Sequence, residues 1–148
     1  VFKTILVALD EPKLADDLVE AINQIRWHPE ATLILSHVML PLEDVPSRDV
    51  TLPGSAPAEI TQQQIEEELR SHQADLPAAT TYIEVALGDP AEEIVRLANI
   101  YEADLIILGN RGLTGLNRIL QGSVSSQVLE DAHCSVMVIK SRLQGDGS

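Results

Sequence analysis

The 148-residue sequence predicts a doubly wound α/β domain: an open, parallel, five-stranded sheet with helices on both faces. Three observations predict it. Short apolar runs alternate with stretches of helical periodicity along the chain. Only four residues are Phe, Trp or Tyr, so Leu, Ile, Val and Ala must fill the core, as they do in strands buried on both faces. No internal repeat and no linker divides the chain, and its length suits one core.

The first strand is Phe2 to Leu9, FKTILVAL. Leu14, Leu18, Ile22 and Ile25 then recur at helical spacing, with Pro12 suited to that helix's first turn. Thr32 to Val38, TLILSHV, is the second strand. Met39 to Ala58 holds four prolines and little periodicity, which predicts a long loop. Glu59 to Leu76 is a polar helix expected at the surface, with Ile60, Ile65 and Leu69 as its thin apolar stripe and Glu66–Glu68 on a solvated face. Thr80 to Leu87 is the third strand. Asp89 suits an N-cap, Pro90 the first helical position and Glu92 the third, and Ile94, Val95, Leu97 and Ala98 mark that helix's buried face. Asp104 to Leu108 is the fourth strand, a helix from about Gly122 to Asp131 follows, and Ser135 to Ile139 is the fifth. A single domain over 1–141 with a flexible tail over 142–148 is expected.

The chain carries 23 Asp and Glu against 10 Lys and Arg, a net charge of −13. That balance argues against nucleic acid and against an anionic membrane surface as partners. No apolar run approaches the roughly 18 residues that span a bilayer. No secretory signal is visible, and a lone cysteine, Cys134, suits a reducing compartment, so a cytoplasmic location is expected.

The stretch from Leu105 to Ser126 carries the chemistry. An apolar strand breaks into Gly109-Asn110-Arg111-Gly112, and Gly122-Ser123 stands where a helix begins. Glycines let a backbone approach a ligand with its N–H groups exposed, and a helix N-terminus adds donors and partial positive charge. No acid lies between Asp104 and Glu130, where about four would fall if evenly spread, while Arg111 and Arg118 do. These features suit a phosphate group. In open α/β sheets ligands sit beyond the carboxyl ends of the strands at the topological switch point. Asp10 and Gly109 end the first and fourth strands and share one crevice if those strands are neighbours. There the Asp10 carboxylate suits a ribose hydroxyl, and Ser123 suits a phosphate, an N-cap, or both.

Neither a P-loop nor a Gly-x-Gly-x-x-Gly fingerprint is present, and no general base or nucleophile stands near the glycines. Strong ATP hydrolysis is therefore not expected. His28, His37, His72 and His133 lack metal-ligand spacing, and His37 reads as a core or strand-end histidine. His133 and Cys134, adjacent on an extended chain, point to opposite faces, which leaves Cys134 a small buried residue.

The pattern Gly109-x2-Gly112-x9-Gly122-Ser123 after a fourth strand resembles the nucleotide-binding subgroup of the universal stress proteins. Asp10 after an apolar first strand, Gly88-Asp89-Pro90, and the closing Cys134 to Ile139 are similar too. The resemblance implies a Rossmann-like sheet of order 3-2-1-4-5 and a stress-response or signalling role through ATP, ADP or AMP. It places adenosine contacts on Ala8, Leu9 and Asp10, and a backbone contact to adenine on Val38. The start of the glycine loop falls on Leu108, Gly109, Arg111 and Gly112, and phosphate contacts fall on Gly122, Ser123 and Val124. It also implies a homodimer through Val136 to Ile139. Nucleotide state is expected to change the dimer surface or the 39–58 loop, and so the binding of a protein partner. Glu11-Pro12 departs from the small residue or Ser common in the family shortly after the first-strand Asp. A second carboxylate beside Asp10 either repels phosphates or helps hold Mg²⁺. Two other functions stay open: a dimeric interaction protein of this fold that binds no nucleotide, and a phosphoreceiver using Asp10, Glu11, Asp89 and Lys140.

Overall fold

Five strands form one parallel sheet in the order β3-β2-β1-β4-β5. The computed structural model describes residues 2–9, 16–39, 58–76, 80–110 and 124–140. The strands are β1 (Thr4–Ala8), β2 (Thr32–Met39), β3 (Thr80–Leu87), β4 (Leu105–Asn110) and β5 (Ser135–Lys140). The helices are α1 (Asp16–Asn23), α2 (Ala58–Gln73), α3 (Pro90–Tyr101) and α4 (124–131).

β1 takes the centre because its residues are apolar on both faces; Ile5, Leu6 and Val7 are wholly buried. Alternation along the strands then divides the core. Ile5, Val7 and Leu9 join Leu33, Leu35 and Ile107 beneath Leu18 and Ile22 of α1 and Leu69 of α2. Leu6 and Ala8 join Ile34, Ile106 and Leu108 beneath Ile94 and Leu97 of α3 and Val128 of α4. The doubly wound architecture and the implied strand order are both realised. Although α2 is mostly polar, its stripe seals the first face: Leu69 is fully buried and Ile65 packs against the same cluster.

Helix ends follow local chemistry. Asp89 adopts an extended conformation (φ −74°, ψ 125°), and its Oδ2 accepts the Glu92 N–H at 3.0 Å, with Pro90 opening α3. α1 stops at Asn23, so Ile25 lies in the following turn, its N–H donated to the Ile22 carbonyl at 3.1 Å. Trp27 Nε1 donates to that same carbonyl at 2.9 Å.

Strand boundaries differ from expectation at several ends: β1 is shorter than Phe2 to Leu9, β2 and β5 each run one residue further, and β4 shifts at both ends. Asp104 stands just before β4, where its carboxylate accepts the N–H groups of Lys3 and Thr4. β4 runs on to Asn110, because β5 supports it there: Gly109 pairs with Ile139 and Asn110 with Lys140. The first glycine of the motif is thus a strand residue rather than the start of the loop. Met39 closes β2 and Ala58 opens α2; the rest of the expected loop between them, and the expected tail over 142–148, lie outside the described residues.

Candidate functional site

β1 and β4 are adjacent, with Ala8 opposite Leu108. From β1 the chain goes on to α1 on one face of the sheet, and from β4 to α4 on the other. Where neighbouring strands send their connections to opposite faces, a crevice opens beyond their carboxyl ends.

Six of the residues singled out from sequence are described: Ala8, Leu9, Val38, Leu108, Gly109 and Val124. Ala8, Val38, Leu108 and Val124 contribute to one apolar cluster, beneath α3 and α4. Leu9 points the other way, into the cluster beneath α1 and α2. Gly109 belongs to the β4 ladder. Asp10, Arg111, Gly112, Gly122 and Ser123, together with Glu11 and Arg118, lie outside the described residues.

Sequence reasoning missed the polar brace beside this crevice. Buried Ser36 donates its hydroxyl to the Val7 carbonyl at 2.9 Å, and its own carbonyl accepts the Leu9 N–H at 2.8 Å. Half-buried His37 donates Nδ1–H to the Leu9 carbonyl at 2.7 Å, which makes it the expected strand-end histidine but gives it a specific partner. β2 therefore holds the last backbone groups of β1 in place. The available signal was a Ser-His pair interrupting an otherwise aliphatic strand.

β2 also overhangs β1. The Thr32 N–H donates to Lys3 on the β1 side, and the Ser36 carbonyl faces Leu9 on that same side. The Met39 carbonyl faces the other way and accepts the Gly88 N–H at 2.9 Å. Alternation along the strand gives Val38 the sense of Thr32 and Ser36, so its backbone N–H and C=O are directed to the β1 side.

Tyr101, Cys134 and Asp89 each have surroundings of their own. The Tyr101 hydroxyl donates to Glu84, and its phenol is pushed up to about 12, first by burial and then by that hydrogen bond and the carboxylate charge. Cys134 is partly exposed rather than buried and packs at the margin of the second cluster. Desolvation, with the Asp104 charge adding, raises its thiol pKa and keeps it protonated. Asp89, the acceptor a phosphoreceiver would use, is engaged as a helix cap. Among the described residues no cluster of three His, Cys, Asp or Glu suits a metal ion, and no helix is long and apolar enough to cross a membrane.

Fold and crevice together define a doubly wound α/β protein with a ligand position at its switch point. The model of the Universal stress protein family matches residues 2–140, and the chain belongs to that family. Universal stress protein Sll1388 of Synechocystis is 30% identical over 155 residues, covering 92% of this chain and 96% of that protein. Universal stress protein MJ0531 of Methanocaldococcus jannaschii is 51% identical over 59 residues, a match spanning 40% of this chain and only 35% of that relative. Among solved structures, the protein MJ0577 superposes with a TM-score of 0.70 at 24% identity, covering 94% of this chain and 96% of that one. A universal stress protein in complex with cAMP gives 0.63 at 20% identity, covering 94% and 97%. An Arabidopsis thaliana family protein with AMP bound gives 0.64 at 18% identity, covering 99% and 97%.

Proposed function

We propose that this chain binds an adenine nucleotide beyond the carboxyl ends of β1, β2 and β4, and that the bound nucleotide alters its association with a partner. One observation carries the reading: β1 and β4 are neighbours whose connections diverge, and the Gly-x2-Gly-x9-Gly-Ser segment begins on β4 at that divergence. The overhanging backbone of Val38 supports a base-binding edge. The AMP and cAMP bound to structural neighbours support the ligand class.

In this reading Ala8, Leu9 and Asp10 meet the adenosine, and the glycine segment meets the nucleotide through Leu108 and Gly109 at the end of β4 and through Arg111 and Gly112 beyond it in sequence. Gly122, Ser123 and Val124 receive phosphate at the start of α4. Glu11 beside Asp10 decides between fewer phosphates and a Mg²⁺-assisted triphosphate. The sequence around the glycines offers no clear general base or nucleophile, so in this reading the site holds rather than cleaves its ligand. The homodimer reading rests on β5, an edge strand whose Val136, Met137, Val138 and Ile139 are all partly exposed.

Mass spectrometry of the supernatant from denatured protein identifies co-purified nucleotide. Thermal shifts with ATP, ADP, AMP and GTP then rank the ligands. A ligand at one hundred times its Kd stabilises the folded state by about 2.7 kcal/mol. Gly122→Asp, which adds a side chain and a negative charge to the phosphate path, abolishes the shift. No shift with any adenine nucleotide at millimolar concentration refutes the reading. Met137→Lys yields monomers in sedimentation experiments if β5 forms the dimer contact.

A further inference from the structure

We propose that His37 is a positioning residue for base recognition: by taking the Leu9 carbonyl, it leaves the backbone N–H of Val38 to a ring nitrogen of the adenine base, beside the Val38 C=O that faces the amino group. The inference rests on the nucleotide reading above and extends it to a residue whose side chain need not touch the ligand.

The register of the β1–β2 ladder carries it. Thr32 lies opposite Thr4 and donates its N–H to the Lys3 carbonyl, one residue back. By the same offset Val38, two residues beyond Ser36, would donate to the carbonyl of Leu9. That carbonyl instead accepts Nδ1–H of His37 at 2.7 Å, and among the described residues no backbone hydrogen bond joins Val38 to Leu9. The Leu9 N–H is still held by the Ser36 carbonyl at 2.8 Å, so the ladder ends between the two backbone groups of one residue. On the far side, the Gly88 N–H occupies the Met39 carbonyl. The imidazole acts as a stop placed one rung early.

The consequence is chemical selectivity. A strand residue offers one donor and one acceptor on the same side. Adenine presents an amino donor beside a ring-nitrogen acceptor, whereas guanine has a carbonyl acceptor in place of the amino group. A Val38 amide released from the ladder matches adenine, and one consumed by Leu9 matches neither base fully. Because the reading groups are backbone, no side-chain change at Val38 short of proline removes them, and His37 is the handle on the N–H.

The test measures Kd for AMP, GMP and 1-deaza-AMP, which lacks the ring nitrogen beside the amino group, on the wild-type chain, His37→Leu and His37→Asn. The wild type favours AMP over the deaza analogue by about tenfold, the span of one hydrogen bond. His37→Leu lets the Val38 N–H bond to Leu9, weakens AMP by a similar factor and erases the preference for AMP over the deaza analogue. His37→Asn, with an amide N–H near the position of Nδ1, restores the preference. A purely structural histidine would weaken all three ligands equally and leave their ratios intact. In the nucleotide-free protein, nitrogen NMR of neutral His37 shows the Nδ1-protonated tautomer. Retention of the full preference by His37→Leu, or an Nε2-protonated ring, overturns the proposal while leaving nucleotide binding standing. A wild type that binds AMP without preference does the same. A wild type that binds no adenine nucleotide overturns the parent reading and this one with it. If His37→Leu fails to fold, His37→Asn and the tautomer decide.

Discussion

The Asp104 carboxylate accepts the backbone N–H of Thr4 at 3.0 Å across a hundred residues of sequence, and that of Lys3 at 3.2 Å. In return the Asp104 N–H donates to the Thr4 carbonyl at 2.8 Å. One acidic residue thereby ties the start of β4 to the start of β1, the pair of strands that frames the crevice at its other end. Asp104→Ala removes the side-chain acceptor and keeps the backbone bond. Because the contact is solvent-exposed, the loss is about 1 kcal/mol, read as a lower urea midpoint with an unchanged slope. Asp104→Asn, which keeps one acceptor oxygen, falls between the two.

The Tyr101–Glu84 pair gives the fold an alkaline limit. The folded phenol titrates at about 12, above the ordinary tyrosine value of about 10. Between those values the folded state retains a proton that the unfolded state has released. Stability from this group is therefore complete below about pH 10 and is lost as pH rises through the folded value of about 12. Tyr101→Phe flattens the dependence of the denaturation midpoint on pH in that window. An unchanged slope there would contradict the assignment.

The turn before α3 is sensitive at two adjacent positions. Asp89→Ala deletes the cap on the Glu92 N–H and costs about 1 kcal/mol. Gly88 has φ of +149°, a conformation that side chains disfavour, and an added Cβ would stand 3.2 Å from Glu93 Cγ. Glu93 is itself held by Arg96 at 2.6 Å. Gly88→Ala therefore costs on the order of 1–3 kcal/mol, at least matching the cap deletion in a chemical denaturation series. Its N–H bond to Met39 links this turn to the end of β2, so local hydrogen exchange at Gly88 quickens as well.

Much of this architecture was legible because aliphatic periodicity and capping chemistry are local. TTYIEVAL begins and ends where β3 does, and Asp89-Pro90 marks the start of α3. Where a boundary depends on a partner strand, sequence falls short. LIILGN continues as strand through a glycine because Ile139 and Lys140 lie alongside it, 30 residues further on. Ala8 and Leu9 are neighbours in sequence, yet their side chains enter different clusters, because successive residues of an extended chain face opposite sides. The Ser36–His37 brace was hidden for a related reason: hydrogen bonds from a side chain to another strand's backbone leave no periodic trace. The same holds for Tyr101 and Glu84, which are joined only once α3 lies over β3.

The central placement of β1 also constrains the order in which a nascent chain completes its fold. β1 is finished by Ala8 and its first neighbour by Met39, but the neighbour on its other flank is complete only at Asn110. Through most of synthesis the most deeply buried strand of the finished protein is an edge, with unpaired amides and the apolar run Ile5-Leu6-Val7 on display. Such an edge invites pairing with another chain until Leu105–Asn110 arrives to cover it. Substitutions that weaken β4 should therefore register first as lower yield from the ribosome, before they register as weaker ligand affinity in the purified protein.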